Sequence, residues 1–161
     1  MKKKILMLAV LVILGTTSLF AFGIGVQTGA SLGQSVVGNI AITFKLDTSP
    51  WVFAADGYIA NNSFAFGMTA DMWIGSGKIS KTTIGYFYGW GVAGNIGASN
   101  NYMNFGIYAR VLGGANIMLL KNFIEIYVQA AWQPGIKISS HGVAVSLPNF
   151  PVAAGIRFWI K

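Results

Sequence analysis

The chain has 161 residues, a formal charge of +7, 54% hydrophobic residues and only 9% charged ones, against about 25% charged residues in a usual soluble domain. That length suits one domain, and the absence of Cys excludes a disulfide framework, a thiolate metal site and a lipidated Cys anchor. Lys2, Lys3 and Lys4 carry three of the charges; the rest of the chain has eight basic and four acidic residues, net +4, with no basic run longer than Lys78-Ile79-Ser80-Lys81, so nucleic acid is not an expected partner.

The first element is a targeting segment. Lys2-Lys3-Lys4 is a positive start, Ile5 to Leu14 is an unbroken apolar run, and Gly15 to Ala21 turns small and polar. This is the pattern of a secretory signal peptide over residues 1–21, cut after Ala21. The alternative, a membrane helix, needs about 20 apolar residues, and the run is half that.

From residue 22 onward, apolar residues alternate with small or polar ones in eight segments. Such a period of two marks strands with one oily face. Phe22–Ala30 sets Ile24 and Val26 against Gly23, Gly25 and Gln27, and Asn39–Leu46 sets Ile40, Ile42, Phe44 and Leu46 against Asn39, Ala41, Thr43 and Lys45. Trp51–Ala60 sets Trp51, Phe53, Ala55 and Ile59 against Asp56 and Tyr58, and Phe64–Ile74 sets Phe64, Phe66, Met68 and Met72 against Gly67, Thr69 and Asp71. Thr82–Ala93 sets Ile84, Tyr86, Tyr88, Trp90 and Val92 against Thr83, Gly85, Gly89 and Gly91. Tyr102–Leu112 sets Met103, Phe105, Ile107 and Val111 against Asn104, Gly106, Tyr108 and Arg110. Asn122–Trp132 sets Ile124, Ile126, Val128 and Trp132 against Glu125, Tyr127 and Gln129, and Phe150–Ile160 sets Val152, Ala154, Ile156, Phe158 and Ile160 against Gly155, Arg157 and Trp159.

Each segment is close to the ~9–11 residues that a tilted strand needs to cross a bilayer. The expected fold is all-β: an eight-stranded antiparallel up-and-down transmembrane β-barrel over residues 22–161. A soluble barrel or sandwich has the same period, but its second face would be rich in Lys and Glu. Here that face holds Gly, Ala, Thr, Asn, Tyr and six charges, Lys45, Asp56, Asp71, Arg110, Glu125 and Arg157, which suits a crowded interior. The oily face carries large aromatics: Trp51, Phe44 and Phe158 are expected at one rim and Phe64, Trp90 and Trp132 at the other, as an aromatic girdle in contact with outer-membrane lipid.

The connections divide into two sets. Asp47-Thr48-Ser49-Pro50, Gly75–Lys81 and Gly113–Lys121 are expected as periplasmic turns; Ser31–Val36, Asn61–Ser63, Gly94–Asn101 and Gln133–Asn149 are expected as outer loops. Within the third turn, Ile117-Met118-Leu119-Leu120 is too apolar for a simple loop; it fits a lengthening of the flanking strands or a dip into the membrane interface.

On these features, the Lys-rich start, the Phe-Lys-Leu-Asp-x-Ser-Pro-Trp hairpin at 44–51 and the final Gly-Ile-Arg-Phe-Trp-Ile at 155–160, the chain resembles small bacterial outer-membrane barrels of the OmpX, OmpA-transmembrane and OmpW kinds, and related small spirochaetal barrels. It departs from them in ending on Lys161 rather than on an aromatic residue. The resemblance implies an outer-membrane location. It transfers no catalytic site and no ligand.

Nothing in the sequence builds a reaction centre, and no catalytic residue, cofactor or metal is expected. The sole His, His141, lies in the last outer loop beside Ser139 and Ser140, and no outer loop holds an acidic residue. The six lumen charges are expected to pair, because an isolated buried ion is costly. Strand order suggests that Glu125 bridges Arg110 and Arg157, that Asp56 lies between Lys45 and Asp71, and that five of the six sit in the periplasmic half. The expected function is non-enzymatic: a structural or surface-interaction barrel, monomeric, with a filled lumen and outer loops that meet an extracellular ligand or host surface. The alternative is a narrow channel for small or apolar solutes.

Overall fold

The computed structural model describes residues 21–32, 37–60, 63–79, 83–99, 102–140 and 142–160; the targeting segment 1–20 and His141 lie outside them. Ten strands follow in order: β1 (Phe22–Leu32), β2 (Val37–Leu46), β3 (Trp51–Ala60), β4 (Ser63–Lys78), β5 (Ile84–Ser99), β6 (Tyr102–Leu119), β7 (Ile124–Trp132), β8 (Gly135–Ser139), β9 (Gly142–Ser146) and β10 (Phe150–Ile160). All neighbours are antiparallel, and the β5–β6 pairing closes the sheet. Eight strands make the barrel wall; β8 and β9 form a hairpin that extends it, with β8 taking over from β7 as the partner of β6 at Asn104–Tyr108.

Closure fixes the stagger. The pairing from Gln27 through Ala41, Asp56, Gly67 and Asn95 reaches Gly106 on β6. Taken the other way, through Gly155 and Tyr127, it reaches Asn116, ten residues along the same strand. A stagger of this size goes with strands tilted about 35–45° to the barrel axis. One end of the barrel carries the Asp47–Pro50 turn, Phe22 and Ile160 and is called the turn end; the other carries the β8–β9 hairpin and is called the loop end.

The alternation in the sequence becomes an inside and an outside. Ile24, Val26, Ile42, Val92, Ile107, Val111, Ile126 and Val128 all face out, with Ile42 61% exposed. A continuous apolar surface of this extent is rare on a water-soluble monomer and is consistent with a transmembrane barrel. The interior row holds Ala41, Thr43, Val52, Ala54, Asp71, Phe87, Arg110, Leu112, Glu125, Tyr127, Arg157 and Trp159, all buried.

Several expected connections are strand instead. Gly75–Lys78 continues β4, Gly94–Ser99 continues β5, and Gly113–Leu119 continues β6. The apolar Ile117–Leu119 stretch therefore lengthens the strand rather than forming a loop. Gly114 in that stretch marks close approach: a Cβ there would lie 2.4 Å from the Phe87 ring and 2.3 Å from the Val128 carbonyl. The true turn is Leu120-Lys121-Asn122, three consecutive residues with φ of 49°, 56° and 67°. Ile74 is an extra residue between Trp73 and Gly75, a bulge that lets β4 keep its pairing beyond it. The expected loop Gln133–Asn149 contains the β8–β9 hairpin, held to β6 by Ala109 N donating to Pro134 O at 3.0 Å and closed at its base by Gln133 N donating to Asn149 O at 2.8 Å.

Candidate functional site: a lumen in two storeys

All six charged residues marked in the sequence, Lys45, Asp56, Asp71, Arg110, Glu125 and Arg157, fall in the inward phase of their strands. They do not form one network. In the half nearer the turn end, Arg157 and Glu125 are cross-strand partners on β10 and β7 and pair Nη1 to Oε2 at 3.1 Å. Glu125 also accepts from Trp159 Nε1 at 3.1 Å and from Asn116 Nδ2 at 2.7 Å. Arg157 Nε donates to Thr43 Oγ1 at 3.1 Å, and the guanidinium lies 4.0 Å from the Tyr127 ring centroid, within cation–π range.

Aromatics complete this storey. Trp73 and Phe87 stack with centroids 3.8 Å apart and planes 8° off parallel. Lys45 Nζ sits 5.2 Å from the Trp73 ring and 5.6 Å from the Trp159 ring. Tyr127 donates its hydroxyl proton to Gln27 Oε1 at 2.6 Å. Arg157 and Glu125, at 0% and 1% exposure, show that this half of the lumen is filled by side chains.

The second ion pair lies toward the loop end. Arg110 Nε meets Asp71 Oδ1 at 2.8 Å and Arg110 Nη2 meets Asp71 Oδ2 at 3.3 Å, a forked contact, while Arg110 Nη1 donates to Gln133 Oε1. Beyond it opens a cavity of about 330 Å³ lined by Gln27, Asn39, Asp56, Asn95, Tyr108, Arg110, Gln133 and Lys137 among others. Asn39 Nδ2 donates to Asp56 Oδ2 at 2.6 Å and Asn95 Nδ2 to Tyr108 Oη at 3.4 Å.

These contacts correct three expectations. Glu125 does not bridge two arginines: its β6 neighbour is Met118, whereas Arg110 lies across Gly91 from Asp71. Asp56 does not join Lys45 and Asp71; it pairs in register with Ala41 and Gly67 and belongs to the cavity. The charges are also not gathered in the turn half, since Asp56 and Arg110 line the loop-end space. In each case the stagger of the closed barrel, invisible within one strand, decides which inward residues meet.

The aromatic surface is corrected too. Phe44, Trp51, Phe64, Trp90, Trp132 and Phe158 are on the outward phase, but Trp51 and Trp90 do not belong to opposite rims. Met72 pairs with both, and their rings meet edge to face at 6.1 Å. Phe44 packs near Phe22 at 5.8 Å and Phe158 near Phe123 at 5.9 Å; Trp132 Nε1 donates to Leu147 O at 3.0 Å.

The sequence reading passed over Trp73 and Phe87 as lumen fillers. Their signal was parity: Trp73 follows Asp71 by two, and Phe87 lies two from Gly85 and Gly89. Tyr58, set on the same face as Asp56 by the sequence pattern, has a side chain outside those described.

No family model and no curated relative matches this sequence. Among solved structures the chain is similar to neisserial surface protein A, with a TM-score of 0.50 and 12% identity over 86% of this chain and 96% of that one. At that identity the likeness concerns the fold.

Proposed function

We propose that this chain is a non-enzymatic outer-membrane barrel, brought across the inner membrane by residues 1–21, with its turn end in the periplasm and its loop end outside. The observation that carries the reading is the filled half of the lumen, where Arg157, Glu125, Tyr127, Trp73 and Phe87 occupy the space a channel would need. The outward apolar wall and the likeness in fold to neisserial surface protein A support the membrane assignment. On this reading the protein acts through what it displays, the β8–β9 hairpin and the loop-end surface, and meets lipid along its wall. The test is conductance of purified, refolded protein in planar bilayers. No steady conductance is expected; a reproducible open level at moderate voltage would overturn the reading in favour of a narrow channel for small solutes.

A further inference from the structure

We propose that the loop-end half of the lumen is a binding site for a small zwitterion, an amino acid or short peptide, whose ammonium meets Asp56 and whose carboxylate meets Lys137. The cavity of about 330 Å³ lies at the lower end of the ~300–1,000 Å³ range of small-molecule sites. Its lining contains three charged side chains, Asp56, Arg110 and Lys137. Arg110 is already matched by Asp71 and Gln133. Asp56 and Lys137 form no ion pair among the described residues, which leaves one charge of each sign unmatched in one space.

The topology sets these two charges on separate parts of the wall. Asp56 is on β3 and Lys137 on β8, and the register row between them runs Asp56, Gly67, Asn95, Gly106, Lys137. Those four strand steps also climb toward the loop end by half of the ten-residue stagger, so Lys137 stands nearer the mouth of the cavity than Asp56. The two intervening glycines make room for the polar side chains beside them: a Cβ on Gly67 would lie 2.2 Å from Asp56 Oδ1, and one on Gly106 would lie 2.5 Å from Asn95 Oδ1.

The acceptors on the Asp56 side are not saturated. Asp56 receives Asn39 at Oδ2, and no donor among the described residues reaches Oδ1. An ammonium group supplies the missing donor to Asp56 Oδ1, and its bond to a carboxylate is of the stronger, charge-assisted kind. A simple cation would leave Lys137 unmatched and a simple anion would leave Asp56 unmatched; a zwitterion answers both.

The site is blind-ended only if the turn-end half is sealed as proposed above. The two readings fail separately, because binding is measured in detergent micelles and sealing by conductance. Isothermal titration of the folded barrel should show saturable binding of 4-aminobutyrate or glycylglycine, and weaker binding of butylamine and butyrate by about tenfold or more, the order expected for losing one charge-assisted contact. Asp56→Asn and Lys137→Met should each lower affinity for the zwitterions by a similar factor, with heat-modifiable gel mobility confirming a folded barrel. Lys137 is exposed, so Lys137→Glu keeps the test open if Asp56→Asn misfolds: it should reverse the preference toward butylamine. Absence of saturable binding, equal binding of the single-charge analogues, or indifference to the Lys137 changes would overturn the proposal.

Discussion

Arg157 and Glu125 are directly opposed on β10 and β7 and close an ion pair of 3.1 Å, with neither side chain reaching solvent. Arg157 spreads its charge over the face of Tyr127 as well, at 4.0 Å. Glu125 is the sole carboxylate within ion-pairing reach of that guanidinium among the described residues. Glu125→Gln keeps the shape but turns one of two accepting oxygens into a donor and strands the cation. Loss of one partner of a buried pair costs about 3–5 kcal/mol, and urea unfolding in micelles should register a loss of that order.

The same measurement separates the two storeys. Arg110 has its own acid, Asp71, so Asp71→Asn should destabilise the barrel independently of Glu125→Gln. The double variant is expected to lose the sum of the two within about 0.5 kcal/mol, as for sites without shared partners. Strong coupling would show a single lumen network instead.

The wall makes a second kind of prediction. Ile42 stands in the middle of β2, flanked by Val26 and Ala55 on the outward face. Ile42→Arg should cost about 2–4 kcal/mol, the penalty for an arginine near the bilayer midplane on a barrel's lipid face. Gln129→Lys, which lines the loop-end cavity, should cost less than about 1 kcal/mol. Heat-modifiable mobility after refolding into lipid vesicles would rank the two; equal tolerance would mean that inside and outside are assigned the wrong way round.

Glycines in the wall differ in what they guard. A Cβ at position 91 would lie 2.3 Å from Asp71 Oδ1 and 2.5 Å from the Ala70 carbonyl, whereas one at position 57 would meet nothing within 4 Å. Gly91→Ala should therefore displace Asp71 from Arg110 and cost about 1–3 kcal/mol; Gly57→Ala should stay within about 0.5 kcal/mol of the parent. Thermal unfolding of both variants checks the contrast.

The β6–β7 turn offers a backbone test. Asn122 holds φ at 67°, a region that Asn tolerates and β-branched residues do not. Asn122→Val should cost about 1–2 kcal/mol, while Asn122→Gly should leave stability nearly unchanged. Equal effects from both would mean that the left-handed run is not required for the hairpin to close.

The sequence by itself determined the fold class and the sidedness of the wall. A side chain's face follows from its parity along a strand, so Ile40, Ile42, Phe44 and Leu46 could be set outside and Thr43, Lys45, Asp71, Glu125 and Arg157 inside from local order alone. Strand ends were less legible, because a glycine demanded by crowding, as at 114, reads the same as a glycine that breaks a strand. Which inward residues touch was not written locally at all. That Glu125 meets Arg157 but not Arg110, that Trp51 meets Trp90, and that Asp56 and Lys137 line one cavity follow from the ten-residue stagger. The stagger belongs to the closed sheet: it is fixed only when β5 and β6 pair and every strand must satisfy two neighbours at once.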